Sequence, residues 1–377
     1  MTLKQPEFAD DILSLFSQRS TQTVDIPVIQ PADPFLDMAG EDLRRRIFLT
    51  ESETGQSLCL RPEFTIPVCL RHIELASGTP QRYAYLGQVF RQRRDGGNEF
   101  FQAGIEDLGN ADTAAADAAA IMDAGDTLSV LLPGTALATT IGDQTVFEAV
   151  VAALGLPDGW QTRLIRAFGD QDQLDALLAG LSQPPIDVPG LDDEAAALLA
   201  TGDEAGLAAL IDTRMTATGY LSNASRTPAE IAGRLIEKAR LSSAHLDAKA
   251  LDVLKTFLAL NAPLADAPGA LAAFARIAGI DISAALAGFD ERVAALKDIG
   301  FDASTARYRA AFGRPLDYYT GLVFEVTAQG SVLAGGGRFD RLLTLLGART
   351  AIPAVGFSLW LDRIANMRAQ ANGGAGR

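Results

Sequence analysis

Two segments near the C-terminal end place a cation, a tyrosine pair and a run of glycines on what read as neighbouring strands. The first runs Arg314-Pro-Leu-Asp-Tyr-Tyr-Thr-Gly-Leu-Val-Phe-Glu325 and the second runs Ala334-Gly-Gly-Gly-Arg-Phe-Asp340. Successive glycines allow a ligand to lie against the backbone, although they also occur in tight connections with positive φ. Together with a permanently charged guanidinium, which packing alone does not require, they predict a pocket for a small ligand.

Composition restricts the class of protein. The chain has 377 residues with 48% hydrophobic and 21% charged content, enough for a full core and two or three domains. A formal net charge of −15 opposes nucleic-acid binding, including tRNA. No targeting segment and no apolar run of about 20 residues is present, so we expect a cytoplasmic protein without membrane contact.

Residue usage argues against several kinds of site. Cys59 and Cys69 lack disulfide or zinc spacing and read as small buried hydrophobes in a reducing compartment. The chain has two histidines, His72 and His245, which makes a histidine-ligated metal or a Ser-His-Asp triad unexpected. P-loop and Rossmann fingerprints are missing. The run 44–46 of three arginines fits a solvated face or a phosphate contact. We expect no metal and no cofactor.

The pattern of apolar residues predicts three segments and a short tail. Residues 1–150 contain a helix over Phe8–Gln18, a strand over Thr23–Ile29, a hairpin and an Ala-rich helix. Residues 151–300 are rich in Ala, Leu and Asp and predict a mainly helical insertion, whose purpose the sequence does not state. Residues 301–368 return to strands, and residues 369–377 read as a flexible tail. The predicted helices of the insertion are Leu174–Leu181, Glu194–Thr213, one beginning at Thr227-Pro-Ala-Glu230, Ala248–Leu260 and Pro268–Leu286.

The predicted strand Glu99–Leu108 has two distinct faces. Alternation directs Phe100, Gln102, Gly104 and Glu106 to one side. A glutamine and a glutamate with a glycine between them leave room above the sheet for a ligand. On the residues alone, a half-exposed strand with ordinary outward polar side chains is the simpler and favoured interpretation.

Six motifs in order resemble those of histidyl-tRNA synthetase, a class II synthetase, and their common order is a stronger signal than any one of them. The two C-terminal segments are similar to that family's histidine signatures. The resemblance implies an α+β fold in which an antiparallel sheet is flanked by helices. The remaining matches are Pro27 with the motif 1 proline, Leu60-Arg-Pro-Glu-Phe-Thr65 with the amino-acid loop, Phe90-Arg91 and Glu99–Glu106 with motif 2, and Gly356–Arg363 with motif 3.

The resemblance assigns a histidine pocket residue by residue. Glu63 and Thr65 match the residues that meet the ammonium, and Gln102 matches one at the amino and carboxylate end. Glu106 and Tyr319 match those that hold the two imidazole nitrogens, which suits a ring with one donor and one acceptor. Arg314 matches the arginine on the carboxylate. Read alone, the carboxylate at position 63 could equally be a helix N-terminal charge, and the tyrosines could be strand packing.

The chain also departs from the synthetase pattern. Motif 2 reads Phe-Arg-x-Glu in that family, but here Arg93 stands at the glutamate position and the following loop is shorter. Arg91 and Arg363 match the arginines that clamp ATP phosphates, so residual phosphate contacts are possible by resemblance. No anticodon-binding domain follows motif 3. We therefore expect no catalytic residues and no aminoacylation.

These features together resemble the regulatory subunits of ATP phosphoribosyltransferase, which are synthetase paralogues. The resemblance implies a non-catalytic protein that assembles with the short catalytic subunit, activates it and permits feedback inhibition by histidine. A homodimer within a larger hetero-oligomer is implied as well. Two alternatives remain at this point: an active enzyme that forms histidyl-adenylate, and a free-standing histidine-binding sensor.

Overall fold

The computed structural model describes residues 4–38, 41–76, 78–94, 97–182, 192–217, 227–243, 248–314 and 318–374. The chain divides into two compact units, each with its own packing. Unit 1 comprises Met1–Val150, Phe168–Asp170 and Thr256–Arg377, and unit 2 comprises Val151–Ala167 and Gln171–Lys255. None of the helices in these described ranges is long and apolar enough to cross a bilayer.

The secondary structure alternates short strands with helices of varied length. The strands are β1 Gln22–Thr23, β2 Ile29–Pro31, β3 Leu49–Glu51, β4 Ser57–Leu60, β5 Gln81–Phe90, β6 Glu99–Leu108, β7 Ala138–Asp143, β8 Asn261–Pro263, β9 Ala306–Arg309, β10 Leu322–Ala328, β11 Ser331–Arg338 and β12 Ala354–Trp360. The helices are α1 Ala9–Ser17, α2 Asp33–Met38, α3 Glu41–Arg44, α4 Thr65–Glu74, α5 Thr113–Leu131, α6 Gln144–Ala153, α7 Asp158–Arg166, α8 Gln171–Leu181, α9 Asp193–Thr201, α10 Glu204–Ala217, α11 Pro228–Ser243, α12 Ala248–Leu258, α13 Ala267–Ala278, α14 Ser283–Asp298, α15 Leu342–Leu345 and α16 Leu361–Gly374.

Unit 1 is built on a sheet in which nine of the described strands pair in the order β1-β5-β6-β12-β11-β10-β7-β9-β8. Its central pairs are antiparallel, whereas β1 with β5 and β7 with β9 are parallel. A smaller sheet of described strands has the order β2-β4-β3. This arrangement agrees with the predicted α+β class, with parallel pairs added toward the two edges.

The strand predicted over Thr23–Ile29 is wrong as one element. Its ends belong to two different sheets, because β1 pairs with β5 and β2 pairs with β4. Pro27 lies between them and has no N–H to donate to a ladder. The predicted hairpin is confirmed as β5 and β6, although residues 95 and 96 of its turn lie outside the described residues.

The C-terminal part of unit 1 begins earlier in the sequence than predicted, at residue 256 instead of residue 301. The predicted insertion ends at residue 300, but residues 256–300 group with unit 1. Two contacts explain this: β8 pairs with β9, and Arg292 of α14 forms ion pairs with Asp117 and Asp143 at 2.8 and 3.1 Å. The predicted tail also differs, because residues 369–374 continue α16, as the helix-forming Ala-Gln-Ala sequence favours, while 375–377 lie outside the described residues.

Unit 2 is helical. Within the predicted insertion, glycines with positive φ determine where two helices end, and a capping box determines where another begins. The predicted helix Glu194–Thr213 is two helices, because Gly202 adopts φ 68° and ends α9. Gly279, which lies in unit 1, divides the predicted helix Pro268–Leu286 in the same way with φ 67°. The predicted capping box is confirmed at α11, where Glu230 N donates to Thr227 Oγ1 at 3.2 Å and Thr227 N donates to Glu230 Oε2 at 3.1 Å.

Arg338 of the glycine-rich signature lies in a buried ionic network behind the sheet. Its Nη2 is 2.6 Å from Asp117 Oδ1 of α5, and its Nη1 is 2.8 Å from Asp340 Oδ1. Arg292 reaches the other Asp117 oxygen, and that aspartate is fully buried. Removing one partner from such a network leaves buried charge uncompensated. The network therefore joins β11, α5 and α14 into one core.

We predict that Asp117→Asn lowers the free energy of unfolding of unit 1 by about 3–5 kcal/mol, because both arginines lose their shared carboxylate. Glu148→Gln is the matched control, since Glu148 pairs at 3.1 Å with Arg341, whose side chain is 62% exposed. For that exposed pair we expect about 0–1 kcal/mol. Urea unfolding followed by circular dichroism measures both changes, and equal losses would contradict the account.

Candidate functional site

The floor of a cleft in unit 1 is a row of small side chains across neighbouring strands. Gly104 of β6 pairs with Ser358 of β12, which pairs with Gly335 of β11. Because paired residues share a face of the sheet, these three positions look into the same space. A Cβ atom at Gly104 would collide with the Tyr85 hydroxyl, and one at Gly335 would collide with the Arg314 guanidinium. The glycines therefore let large polar side chains lie directly on the sheet.

The second row of the floor contains Glu106, Gly356 and Gly337, which pair across the same three strands. A Cβ atom at Gly356 would overlap the Glu106 carboxylate, and one at Gly337 would lie 2.9 Å from Tyr319 Cε1. The predicted face of β6 is thus confirmed as a single surface that carries Gln102, Gly104 and Glu106. It is buried rather than solvent-exposed, which excludes the half-exposed strand of the simpler interpretation.

One wall comes from the N-terminus of α4. Glu63 is 4% exposed, and its two carboxylate oxygens accept from the backbone N–H groups of Thr65 at 2.6 Å and Ile66 at 3.0 Å. Glu63 therefore does cap a helix N-terminus, as its alternative interpretation predicts, and it also faces the cleft. Burial raises the pKa of Glu63, while these two hydrogen bonds and the charge of Arg91 act in the opposite direction.

Two buried acceptors beneath the cleft have no partner among the described residues. Gln102 and Glu106 are each 1% exposed, and Gln102 Oε1 and Glu106 Oε2 make no hydrogen bond there. The other Glu106 oxygen accepts from Thr65 Oγ1 at 2.7 Å. Burial raises the pKa of Glu106 well above its usual range, and the nearby charge of Glu63 adds to this shift. An unsatisfied buried acceptor is costly, so both atoms are suited to a ligand that donates hydrogen bonds.

The opposite wall carries the cation of the first signature. Arg314 lies over Gly335 with its Nη1 3.8 Å from Glu325 Oε2, a weak ion pair, and its Nε has no partner in the described part of the chain. Its Cζ is 5.3 Å from the centroid of the Trp360 ring. Tyr319 lies beside the guanidinium, and burial raises the pKa of Tyr319 while the charge of Arg314 lowers it. Residues 315–317 of this signature lie outside the described residues.

Further arginines border the cleft near motif 2. Arg91 Nε donates to Pro62 O at 2.7 Å, and burial lowers the pKa of Arg91 to about 10. Arg93 stacks on Phe100 with its Cζ 3.5 Å from the ring centroid and pairs with Asp362 at 3.2 Å. Arg363 donates to Val332 O at 2.7 Å. Burial lowers the pKa of Arg363, the charges of Arg93 and Arg314 act in the same direction, and those of Asp362 and Glu325 act in the opposite direction.

The cleft holds about 420 Å³ of empty space, its open mouth included. Of the residues predicted for the site, Glu63, Thr65, Gln102, Arg314 and Tyr319 line it, as does Arg91. Glu106 lies behind Thr65 and Arg363 lies beyond Trp360, and neither belongs to the lining. Residues that sequence reasoning missed are Tyr318, Phe339, Phe357, Ser358 and Trp360, together with the supporting Tyr85. The alternation Gly356, Ser358, Trp360 along β12 would have indicated two of them.

The arrangement suits a zwitterionic amino acid. A carboxylate and an amide oxygen on one side can accept from an ammonium group, and a guanidinium on the other can donate to a carboxylate. Tyrosine hydroxyls and buried carboxylate oxygens remain for the polar side chain of such an amino acid. Across the described residues, no three or more His, Cys, Asp or Glu side chains come together as a metal site would require.

Known proteins are similar to this chain in sequence and in fold. The histidyl-tRNA synthetase family model matches residues 3–211 and 194–364. A protein of Rhizobium etli, described as an ATP phosphoribosyltransferase regulatory subunit, is 66% identical over 368 residues and covers 97% of this chain and 98% of its own length. One of Sinorhizobium medicae with the same description is 67% identical over 363 residues, covering 95% and 96%. The chain belongs to the ATP phosphoribosyltransferase regulatory subunit family.

Solved structures place this family's fold among the class II synthetases. An ATP phosphoribosyltransferase regulatory subunit/histidyl-tRNA synthetase from Bacillus halodurans superposes with a TM-score of 0.64 at 19% identity, covering 97% of this chain and 81% of that chain. Histidyl-tRNA synthetase from Nostoc gives a TM-score of 0.64 at 14% identity, covering 99% and 76%. At these identities the likeness shows the fold alone, and it confirms the predicted class II architecture.

We predict that Glu106→Gln becomes more stable relative to the wild type as pH rises. The folded-state pKa of Glu106 is raised above its ordinary value of 4.5, so its stabilising contribution is full below that value and is lost as pH rises through the folded pKa. A glutamine carries no such charge. Urea unfolding of the ligand-free proteins at pH 5 and pH 8 measures the difference, with Glu99→Gln at the exposed start of the same strand as control. A difference that does not change with pH would refute the prediction.

Proposed function

We propose that the cleft binds L-histidine and that this protein is the regulatory subunit of a short-form ATP phosphoribosyltransferase. In this proposal it assembles with the catalytic subunit, activates it and transmits inhibition by histidine in the first step of histidine biosynthesis. The observation that carries the proposal is the convergence of unpartnered, buried polar atoms on one cleft. The 66% identity to a regulatory subunit supports the assignment of the partner.

The two ends of the cleft supply the contacts for the amino and carboxylate groups. Glu63 and Gln102 offer acceptors for the ammonium, and Gln102 Oε1 has no partner among the described residues. Arg314 offers the unpaired Nε and a guanidinium whose ion pair with Glu325, at 3.8 Å, is weak. A buried ammonium requires a carboxylate, and a carboxylate is bound most tightly by a guanidinium fork.

The imidazole ring branches from the same α-carbon as the two charged groups and lies above the glycine floor. Tyr319 lies beside one side of this space, and the pair formed by Thr65 and Glu106 lies at the other. An imidazole has two nitrogens that need different partners near neutral pH, and a tyrosine hydroxyl with a carboxylate-bound threonine provides them. Glu106 lies behind Thr65 and acts through the threonine hydroxyl, which donates to it at 2.7 Å and can accept from the ring N–H.

Aminoacylation is not part of the proposed function. Arg93 replaces the motif 2 glutamate of the synthetase pattern, stacks on Phe100 and pairs with Asp362. The guanidinium of Arg93 therefore occupies the space against the ring of Phe100. We propose no catalytic residue, no cofactor, no metal and no tRNA partner, and we place the protein in the cytoplasm as a homodimer within a hetero-oligomer.

An active synthetase-like enzyme is the second candidate, because Arg91 lines the cleft and Arg363 lies at its border. These cations could hold phosphates of ATP. The two candidates differ in what the isolated chain does with histidine: a regulator binds it, whereas a synthetase activates it. A free-standing sensor would bind histidine and ignore the phosphoribosyltransferase.

Regulation requires that histidine bind two states of the complex with different affinity. Histidine held between the wall at α4 and the wall at Arg314 would draw both toward the ligand. A coupling free energy of about 1–3 kcal/mol is typical of allosteric proteins. It corresponds to a roughly 5- to 150-fold difference between the affinities of the two states for histidine.

We predict that L-histidine raises the melting temperature of the wild type, because a ligand specific for the folded state stabilises it, by about 2.7 kcal/mol at 100 times Kd. Gln102→Ala removes one charge-assisted contact, so its affinity should fall roughly 10- to 100-fold. Gln81→Ala, at the half-buried start of β5 and outside the cleft lining, is the control and should keep the full shift. A normal shift in Gln102→Ala would defeat the site assignment.

We predict that mixing the purified chain with a short phosphoribosyltransferase catalytic subunit produces histidine-sensitive condensation of ATP with phosphoribosyl pyrophosphate. The chain alone should catalyse no histidine-dependent ATP–pyrophosphate exchange. The first assay follows formation of the phosphoribosyl-ATP product, and the second follows labelled pyrophosphate. Activation without histidine sensitivity would support the proposed partner but contradict the proposed histidine site. Pyrophosphate exchange by the chain alone would favour the synthetase-like enzyme.

A further inference from the structure

Arg61, which precedes the Pro62-Glu63 turn, joins three segments of chain around the cleft. Its guanidinium donates to the carbonyls of Ile26, Pro27 and Gln88, the last at 2.7 Å from Nη2. Its backbone N–H donates to Val28 O at 2.8 Å, and its carbonyl accepts from Phe90 N at 3.0 Å. The side chain is buried, with 4% of the residue exposed. A single residue therefore connects the segment after β1, the end of β5 and the loop before α4.

The same guanidinium begins a stack that ends at the floor of the cleft. Its Cζ lies 4.0 Å from the centroid of the Phe64 ring, and that ring stacks on Tyr85 at 4.3 Å with an interplanar angle of 11°. The Tyr85 hydroxyl is 2.7 Å from Ser358 Oγ in the floor. Gly87 makes room for the stack, since a Cβ there would lie 2.9 Å from both Arg61 Nη2 and Phe64 Cζ.

Packing alone is a poor reason for a buried guanidinium at this point. Burial lowers the pKa of Arg61 to about 10, and the charges of Asp25 and Glu63 act in the opposite direction. Its guanidinium donates hydrogen bonds to backbone carbonyls. Replacing a buried ionic group by an apolar one of similar volume is often neutral or stabilising, so its value lies in the geometry that it fixes.

The geometry that Arg61 fixes is that of the residues directly after it, at the start of α4. Glu63 and Thr65 flank Phe64, and the ring of Phe64 is held between Arg61 and Tyr85. The stack therefore fixes the backbone at Phe64, which carries Glu63 on one side and Thr65 on the other. A displacement of about 1 Å is enough to weaken a charge-assisted hydrogen bond severely.

We propose that Arg61 is a positioning residue that sets Glu63 and Thr65 for the ammonium group of the bound amino acid. The inference rests on the proposed histidine site and deepens it. Lysine carries the same charge but lacks the planar fork that reaches several carbonyls at once, so Arg61→Lys loosens the loop. Gly87→Ala has the same effect by pushing on both Arg61 and Phe64.

The test compares two ligands by titration calorimetry. L-histidine carries the ammonium group, and 3-(imidazol-4-yl)propionate lacks it. In the wild type, histidine should bind more tightly. In Arg61→Lys and in Gly87→Ala, the preference for histidine should fall roughly tenfold, the size of one weakened charge-assisted hydrogen bond. Arg71→Lys, an exposed position on α4, is the matched control and should keep the wild-type preference.

A purely structural role would give a different result. It would lower the melting temperature or weaken both ligands equally, and an unchanged preference in Arg61→Lys and Gly87→Ala would overturn the proposal while leaving the histidine site intact. If Arg61→Lys does not fold, Gly87→Ala decides the question alone. Failure of the wild type to bind histidine would overturn both the positioning role and the proposed function.

Discussion

The cleft depends on the absence of side chains from the middle of three neighbouring strands. Gly104, Gly335 and Gly356 have no Cβ where Tyr85, Arg314 and Glu106 respectively lie against the backbone. Glycine in a strand interior costs roughly 0.5–1 kcal/mol relative to alanine, so the sheet is weakened where the polar groups are gathered. The Arg338, Asp117 and Arg292 network on the other side of the sheet joins β11 to two helices. The sheet therefore leaves space for a ligand on its cleft face and is held to α5 and α14 by ion pairs on its opposite face.

Charge explains why the cleft suits a ligand that is itself charged at both ends. Unpartnered atoms of Gln102, Glu106 and Arg314 are buried in the described structure, and each has a lower free energy when a complementary group arrives. The ligand thus supplies hydrogen bonds that the protein does not make itself. Binding free energy of this kind is available for regulation, because a partner that alters the distance between the two walls alters the affinity. In the proposed function such coupling would act in both directions, so that histidine would change the complex as much as the complex changed histidine binding.

Much of the site could be predicted from the sequence, because alternation along one strand is a reliable guide to faces. Gln102 and Glu106 fall on the predicted surface, and the motif resemblance brought Glu63, Arg314 and Tyr319 to the same cleft. Other features depend on tertiary contacts that no local pattern contains. Arg338 reads as part of a ligand signature, but its charge is taken up by Asp117 of α5, distant in sequence. Single glycines that adopt positive φ, at 202 and 279, divided helices that looked continuous.

The central claim is that an amino acid occupies the space between the α4 wall and Arg314. A crystal structure of the protein with L-histidine tests this most directly. The account predicts density for the ligand above Gly335 and Gly356, with its carboxylate on Arg314, its ammonium beside Glu63 and Gln102, and its ring between Tyr319 and Thr65. Histidine bound elsewhere on the chain, with this cleft unchanged, would contradict the account.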